Sequence, residues 1–337
     1  MNTAKTKVIR FHQIGDASNL RIDSLPLAKP KENELQIKVE AIGLNRAEVM
    51  FREGAYLETP ELPSRLGYEA AGIVEAIGKN VQGFSIGDQV STVPAFSMGE
   101  YGVYAERAVV PVHAVAKAPE GFNSKQSAAI WMQYITAYGA IIDIAQLKQA
   151  QYILITAASS SVGVAAIHLA KHLGARVIAT TRGSSKISFL QEQGADHVIQ
   201  TDVEDLVAET MRITQQRGVE LVFDPIGGPL VSQLAEASAQ GARIIEYGAL
   251  DDEPTPFPLF TALAKGLVIQ GYTLFEITQN EEKLAAAKTY LLDLFNSGAA
   301  LPVIDKVFPF EEMQEAHRYM ESNQQMGKIV VDVSTAN

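Results

Sequence analysis

Seven consecutive positions, Ala157-Ala158-Ser159-Ser160-Ser161-Val162-Gly163, gather small and hydroxyl-bearing residues. Small side chains let a ligand approach the backbone closely, and serine hydroxyls can donate to phosphate oxygens. Between a strand and a helix, such a run also turns unpaired N–H groups and the positive end of the helix dipole toward an anion. About 20 residues further on stand Thr181, Arg182, Gly183, Ser184, Ser185 and Lys186. No carboxylate lies among them, and two cations with several hydroxyls suit a second phosphate. The plain alternative is a serine-capped helix start followed by two solvated cations.

The elements that must hold these residues follow from the hydrophobic pattern. Residues 152–156 form a short apolar, β-branched run that reads as a buried parallel strand. Residues 164–173 have a helical pattern stopped by Gly174, and 176–181 read as a second buried strand. Together they make a βαβ unit whose turn lies where a Rossmann fold grips a dinucleotide pyrophosphate. The usual three glycines would fall on Ala158, Ser160 and Gly163, so one survives. A nicotinamide site that prefers NADH normally carries an acid at the end of the second strand, for the ribose hydroxyl. Thr181, Arg182 and Lys186 at that point favour NADPH.

Alternation continues with helices at 185–193, 203–214 and 229–237, and strands at 197–199, 219–224, 243–247 and 267–271. This predicts a doubly wound parallel sheet. Asp224 ends one strand ahead of Pro225 and Gly227-Gly228, where it either positions a cofactor or caps the next helix. Tyr247 and Gly248 end another, and the glycine admits close backbone approach to a nicotinamide. Residues 1 to about 125 differ: strand-like runs at 8–11, 34–42, 71–77, 88–93 and 101–110, punctuated by Gly and Pro, predict a compact partial barrel. A short helix is expected over 45–53 and a long one over 126–144. The tail has helices at 281–297 and 310–321 and strands at 303–308 and 328–333, which are expected to rejoin the first domain.

Composition narrows the class. The chain has 337 residues, 47% hydrophobic and 20% charged, enough for two domains. A net charge of −11 argues against nucleic acid as a partner. No apolar run is long enough to span a membrane, and the first residues lack a signal core, so a cytoplasmic location is expected. The absence of cysteine excludes disulfides and thiolate zinc sites, and none of the six histidines reads as a metal ligand.

Nine segments spread over nearly the full length resemble the medium-chain dehydrogenase/reductase superfamily, within it the zinc-independent quinone oxidoreductase branch. They include GLNRAEVMFREGAY (43–56), LPSRLGYEAAGIVEAIGKNVQGFSIGDQV (62–90), YAERAVVP (104–111), AAIWMQYITAYGAI (128–141), AASSSVG (157–163), FDPIGG (223–228) and MGKIVVDV (326–333). The resemblance implies an α/β protein with a GroES-like β-rich catalytic domain (1–125 and 300–337), a Rossmann NADP-binding domain (126–299) and a homodimer. At the positions that hold catalytic zinc in the metal-dependent members, this chain has Asn45, Tyr68 and Met132, none of them a zinc ligand, with Glu69 beside them.

Without a Lewis acid, hydride transfer is easiest to acceptors that already stabilise negative charge, such as quinones and α,β-unsaturated carbonyls. The resemblance implies Tyr56 as proton donor or carbonyl-orienting phenol, Asn45 near the nicotinamide ribose, and Tyr68 lining the substrate pocket. For the cofactor it implies Gln133, Thr136, Ser159, Ser160, Ser161, Val162, Thr181, Arg182, Lys186, Asp224, Tyr247, Gly248, Tyr272 and Lys328. Packing or capping is the alternative use of Tyr56, Asn45, Tyr68, Thr136, Asp224 and Tyr272. An alcohol dehydrogenase-type oxidoreductase and a non-catalytic NADPH-binding protein are the competing functions.

Overall fold

A computed structural model describes residues 4–334. The chain divides into two compact units, one taking in the described residues through Met132 and again from Pro302, the other Gln133–Leu301.

The second unit is built on six strands: β1 (Tyr152–Ile155), β2 (Arg176–Thr181), β3 (His197–Gln200), β4 (Val219–Asp224), β5 (Ser238–Glu246) and β6 (Val268–Gly271). All pair in parallel, in the order β3-β2-β1-β4-β5-β6. This is the doubly wound Rossmann order, and its direction of progression reverses between β1 and β4. The expectation of such a sheet holds, because β1 is buried at every position and β2 and β4 at nearly every one, as strands covered on both faces must be. Leu154, Ile178, Val222 and Ile244 meet helix residues Leu206, Leu234 and Ala235 in one apolar core.

The helix after β1 runs Ser161–His172, three residues earlier than the apolar pattern suggests, because Ser160 caps it. The Ser160 hydroxyl accepts from the Gly163 N–H at 3.1 Å. Gly163 is the family glycine that survives for a steric reason: a Cβ there would lie 2.5 Å from the Ala158 carbonyl oxygen. The continuous helix expected over 126–144 is broken instead into Ser124–Ser127, Trp131–Tyr138 and a π-helical turn, Gly139–Ile144. Two packing demands override periodicity there. The Trp131 indole N–H donates to Ser91 Oγ at 2.8 Å, and the Tyr272 hydroxyl sits 2.0 Å from where a Cβ on Gly139 would stand.

In the first unit Lys5–Phe11 and Leu20–Pro26 form an antiparallel hairpin. A seven-stranded sheet carries, in order, Ile304–Pro309, Lys328–Asp332, Glu34–Gly43, Glu69–Ile77, Gln89–Thr92 and Val115–Lys117, with Arg107–Pro111 also pairing Glu34–Gly43. The tail strands therefore rejoin this sheet, as the sequence suggests. The strand expected over 101–110 is shorter: Met98–Tyr101 is a helical turn, and the strand starts at Arg107. Glu58 explains the turn, since its carboxylate accepts from Ser97 Oγ and from the Met98 and Gly99 N–H groups at 2.6–3.1 Å. Leu20–Pro26 was invisible to hydrophobic periodicity because one of its seven residues is buried.

Gly43 ends the long central strand against the backbone of Ala128, whose oxygen lies 1.9 Å from an added Cβ. Gly43→Ala is expected to destabilise by about 1–3 kcal/mol through overpacking against backbone that cannot rotate away. Gly271→Ala, with nothing within 4 Å of its Cβ, is the matched control and should be near neutral. Thermal melting of both variants checks this; equal midpoints would contradict it.

Candidate functional site

In the second unit the small-residue loop links β1 to its helix at the C-terminal edge of the sheet, beside the reversal between β1 and β4. Ala157 adopts a left-handed conformation, φ 44°, which turns the chain sharply enough to bring Ser159 and Ser160 to the helix start. Lys186 Nζ donates to Ser159 Oγ at 3.1 Å, so the cation expected for phosphate already lies on the loop. Arg182 is exposed and has no ion pair among the described residues. Ser161 and Val162 occupy the first helical turn, and Thr181 is buried at the end of β2. One carboxylate reaches this corner from a place the local sequence does not reveal: Asp202, just past β3, accepts from the Gly183 N–H at 3.0 Å. That bond draws its pKa below the ordinary value.

At the ends of β4 and β5 the side chains are more tightly organised. Thr156 Oγ1 donates to the Asp224 carboxylate, which also accepts from Gly227 N–H at 2.8 Å and Ile226 N–H at 3.2 Å. Asp224 thus shapes the turn before the next helix and ties β1 to β4. Glu246 lies in register with Asp224 on β5, a position the sequence reading passed over. Tyr247 stacks on Phe223 with ring centroids 3.9 Å apart, and burial raises its phenol well above the usual range, leaving it neutral. Gly248 is exposed beside it. Gln133 and Thr136 are buried on the helix Trp131–Tyr138. Tyr272 is buried too, its hydroxyl donating to the Ile135 carbonyl at 3.3 Å, a packing contact inside the unit.

The first unit brings Asn45, Tyr56 and Tyr68 together around buried charge. Asn45 precedes the helix Arg46–Arg52, and the Glu48 carboxylate reaches back to its N–H at 2.6 Å. Glu48 also accepts from the Tyr68 N–H at 3.1 Å and Asn45 Nδ2 at 3.2 Å. Burial nonetheless wins over these donors and over Lys328, pushing the carboxyl up to about 7. The N-x-x-E spacing of Asn45 and Glu48 was the available sequence signal for this residue. The hydroxyls of Tyr56 and Tyr68 share a hydrogen bond, and Tyr68 packs on Phe96 at 5.7 Å. Burial, with smaller contributions from Glu48 and Glu58, raises the Tyr56 phenol to about 12.

Lys328 was expected at the cofactor. The structure places its ammonium fully buried, bound to Glu69 and to Asn45 Oδ1 at 2.6 Å, so its charge is consumed within the unit. The other oxygen of Glu69 accepts from the Met132 N–H at 3.0 Å. The three positions that hold zinc in metal-dependent members of the resembling superfamily therefore surround an ammonium and two carboxylates. Among the described residues no three His, Cys, Asp or Glu side chains come together as a metal site requires. His168 and His172 stand one helical turn apart, but His168 bonds Tyr134 and Gln193 and His172 packs on Tyr290. Asn45, Tyr68 and Met132 themselves offer no thiolate, imidazole or carboxylate to a zinc ion. No described helix is long and apolar enough to cross a membrane.

Comparison with known proteins agrees with both units. Residues 31–120 match the model of the alcohol dehydrogenase GroES-like domain, and 193–331 match that of the zinc-binding dehydrogenases. Human quinone oxidoreductase is 30% identical over 316 residues, covering 92% of each chain. The crystal structure of Escherichia coli quinone oxidoreductase complexed with NADPH superposes with TM-score 0.89 at 28% identity, covering 97% of this chain and all of that one. A structure described as an NAD-dependent alcohol dehydrogenase gives TM-score 0.90 at 29% identity, with 97% and 99% covered.

The buried charges of the first unit make a stability prediction. Lys328→Met leaves Glu69 without its cation and should cost about 3–5 kcal/mol. Glu48 makes stability depend on pH: its folded pKa of about 7 lies above the ordinary 4.5, so the fold binds more protons in that window. Stability should therefore fall as pH rises from about 4.5 to 7, and Glu48→Gln should flatten that slope. Urea unfolding across pH tests both, and an unchanged slope or a neutral Lys328→Met would contradict them.

Proposed function

Because the chain is a medium-chain dehydrogenase/reductase of the quinone oxidoreductase branch, and so an oxidoreductase by family, we propose that it reduces quinones or α,β-unsaturated carbonyls with NADPH and without zinc. The observation that carries the cofactor choice is the corner at the end of β2. There Lys186 lies on Ser159 of the helix-start loop, and Arg182 stands exposed with no ion pair among the described residues. A 2′-phosphate held there gains charge-assisted hydrogen bonds that a ribose hydroxyl cannot make. The loop supplies the second requirement, N–H groups and a helix N-terminus for the pyrophosphate. The relative solved with NADPH supports this reading.

When bound, NADPH supplies the hydride. The chain's own part is to polarise the acceptor and deliver a proton. Tyr56 suits that part: its phenol is held neutral up to about 12, and Tyr68, hydrogen-bonded to it, fixes where it lies. A neutral, desolvated phenol donates more strongly as negative charge grows on a carbonyl oxygen, which is when donation lowers the barrier. Quinones and enones need only this help, because conjugation already spreads the charge. A simple ketone would need a Lewis acid, and Asn45, Tyr68 and Met132 do not hold one. We further propose that the protein is cytoplasmic and acts as a homodimer; the exposed apolar side chains Phe257, Leu259, Phe260 and Leu263 support the second part.

Fluorescence titration with NADPH and NADH tests the cofactor assignment. NADPH should bind at least about tenfold more tightly, which is about 1.4 kcal/mol. The double variant Arg182→Ala/Lys186→Ala should lose that preference, and Asp202→Asn should retain or increase it. Equal binding of the two nucleotides by the parent protein would sink the assignment.

A further inference from the structure

The ends of β4 and β5 bring two carboxyl groups against each other, Asp224 and Glu246, in register on adjacent parallel strands. Their hydrogen bonds are unequal. Asp224 accepts from Thr156 Oγ1, Ile226 N–H and Gly227 N–H, donors that favour a carboxylate. Both oxygens of Glu246 are buried, and no described N–H or O–H group donates to either. The polar group they face is the Asp224 carboxyl itself.

Two carboxylates cannot occupy such a position together, since each offers only acceptors and their charges repel. A proton on Glu246 resolves both problems by donating to Asp224. Among the described residues the surroundings supply no competing cation. β6 places Gly271 beside Glu246, and Tyr272 contributes only its N–H, to the Glu246 main-chain oxygen. Tyr247, just past the strand, is a neutral phenol. Of the helices packed on β5, Leu259–Lys265 carries Lys265, whose ammonium is engaged at the opposite end of the strand by the carbonyls of Ala235, Glu236 and Ser238. Leu230–Ala237 carries Glu236, beside that same ammonium.

A dinucleotide fold is two mononucleotide-binding halves, one on each side of the reversal. If Arg182 and Lys186 at the end of β2 hold the adenine nucleotide's phosphate, β4–β6 carry the nicotinamide nucleotide. This step rests on the proposed function. We propose that Asp224 and Glu246 are an acid–carboxylate pair sharing one proton beneath the nicotinamide half, and that the nicotinamide nucleotide, itself anionic, binds to the singly charged pair in preference to the doubly charged one. Burial and the Asp224 charge push Glu246 up to about 9, which sets where the pair would lose its proton.

The test compares two ligands, NADPH and 2′,5′-ADP, the latter carrying the 2′-phosphate but lacking the nicotinamide half. Affinities are measured by calorimetry from pH 7.5 to 10 for the parent protein and Glu246→Gln, whose amide donates to Asp224 at every pH. NADPH binding should weaken by about tenfold more than 2′,5′-ADP binding over this range, within usual coupling strengths. In Glu246→Gln the two ligands should keep parallel profiles. Parallel profiles in the parent protein would overturn the coupling while leaving the NADPH assignment intact, whereas failure of both ligands to bind at pH 7.5 would overturn that assignment. Infrared spectroscopy of the ligand-free protein gives an independent reading. A protonated-carboxyl C=O band at pH 7.5, lost at pH 10 and absent from Glu246→Gln, is expected. No difference between the two proteins would overturn the shared proton itself.

Discussion

A buried ammonium holds the first unit together. Lys328 comes from the closing strand, and its partners Glu69 and Asn45 come from the ends of two other segments of the same sheet region. Two carboxyl groups, Glu69 and Glu48, are taken out of water around this one cation, a costly arrangement for Glu69 if the ammonium is removed. The tail strand is thereby bound to its place by charge as well as by its ladder to Glu34–Gly43. The same cluster orders the chemistry beside it. Glu48 fixes the backbone of Tyr68, and the Tyr68 hydroxyl meets that of Tyr56.

Close approach plays the matching part in the second unit. Gly163 allows the helix to start against Ala158, and Thr156 joins Asp224 across the point where the sheet reverses. These contacts leave the loop's N–H groups at the helix start and place Lys186 on Ser159. In the carboxyl pair at the ends of β4 and β5, no described N–H or O–H group donates to Glu246, and a proton supplies what is missing. Thus one unit manages excess negative charge with a lysine, the other with a hydrogen ion.

Much of this was legible from sequence. Strand β1 announces itself as an uninterrupted apolar run, and β2 and β4 fall where the pattern placed them. The return of the tail was readable because its strands break the α/β alternation. Elements decided by distant partners were not readable: the turn Met98–Tyr101 depends on Glu58, and the break at Gly139 depends on the Tyr272 hydroxyl. The same reason separates the site residues. Arg182 and Lys186 follow the loop at a characteristic spacing, whereas Asp202 and Glu246 reach their positions only through strand register. The burial of Lys328 was not readable either, because a lysine's sequence position carries no information about its burial.

The central claim is hydride transfer without a metal, assisted by a phenol. Its most direct test is turnover of NADPH with an enone acceptor, in protein stripped of metal by exhaustive chelation. The account predicts that stripping leaves kcat unchanged and that added zinc does not raise it. It also predicts that Tyr56→Phe lowers kcat by about a hundredfold, a typical loss for a general acid, while NADPH affinity stays the same. Activity that vanishes on chelation and returns with zinc, or a Tyr56→Phe variant as fast as the parent, would contradict it.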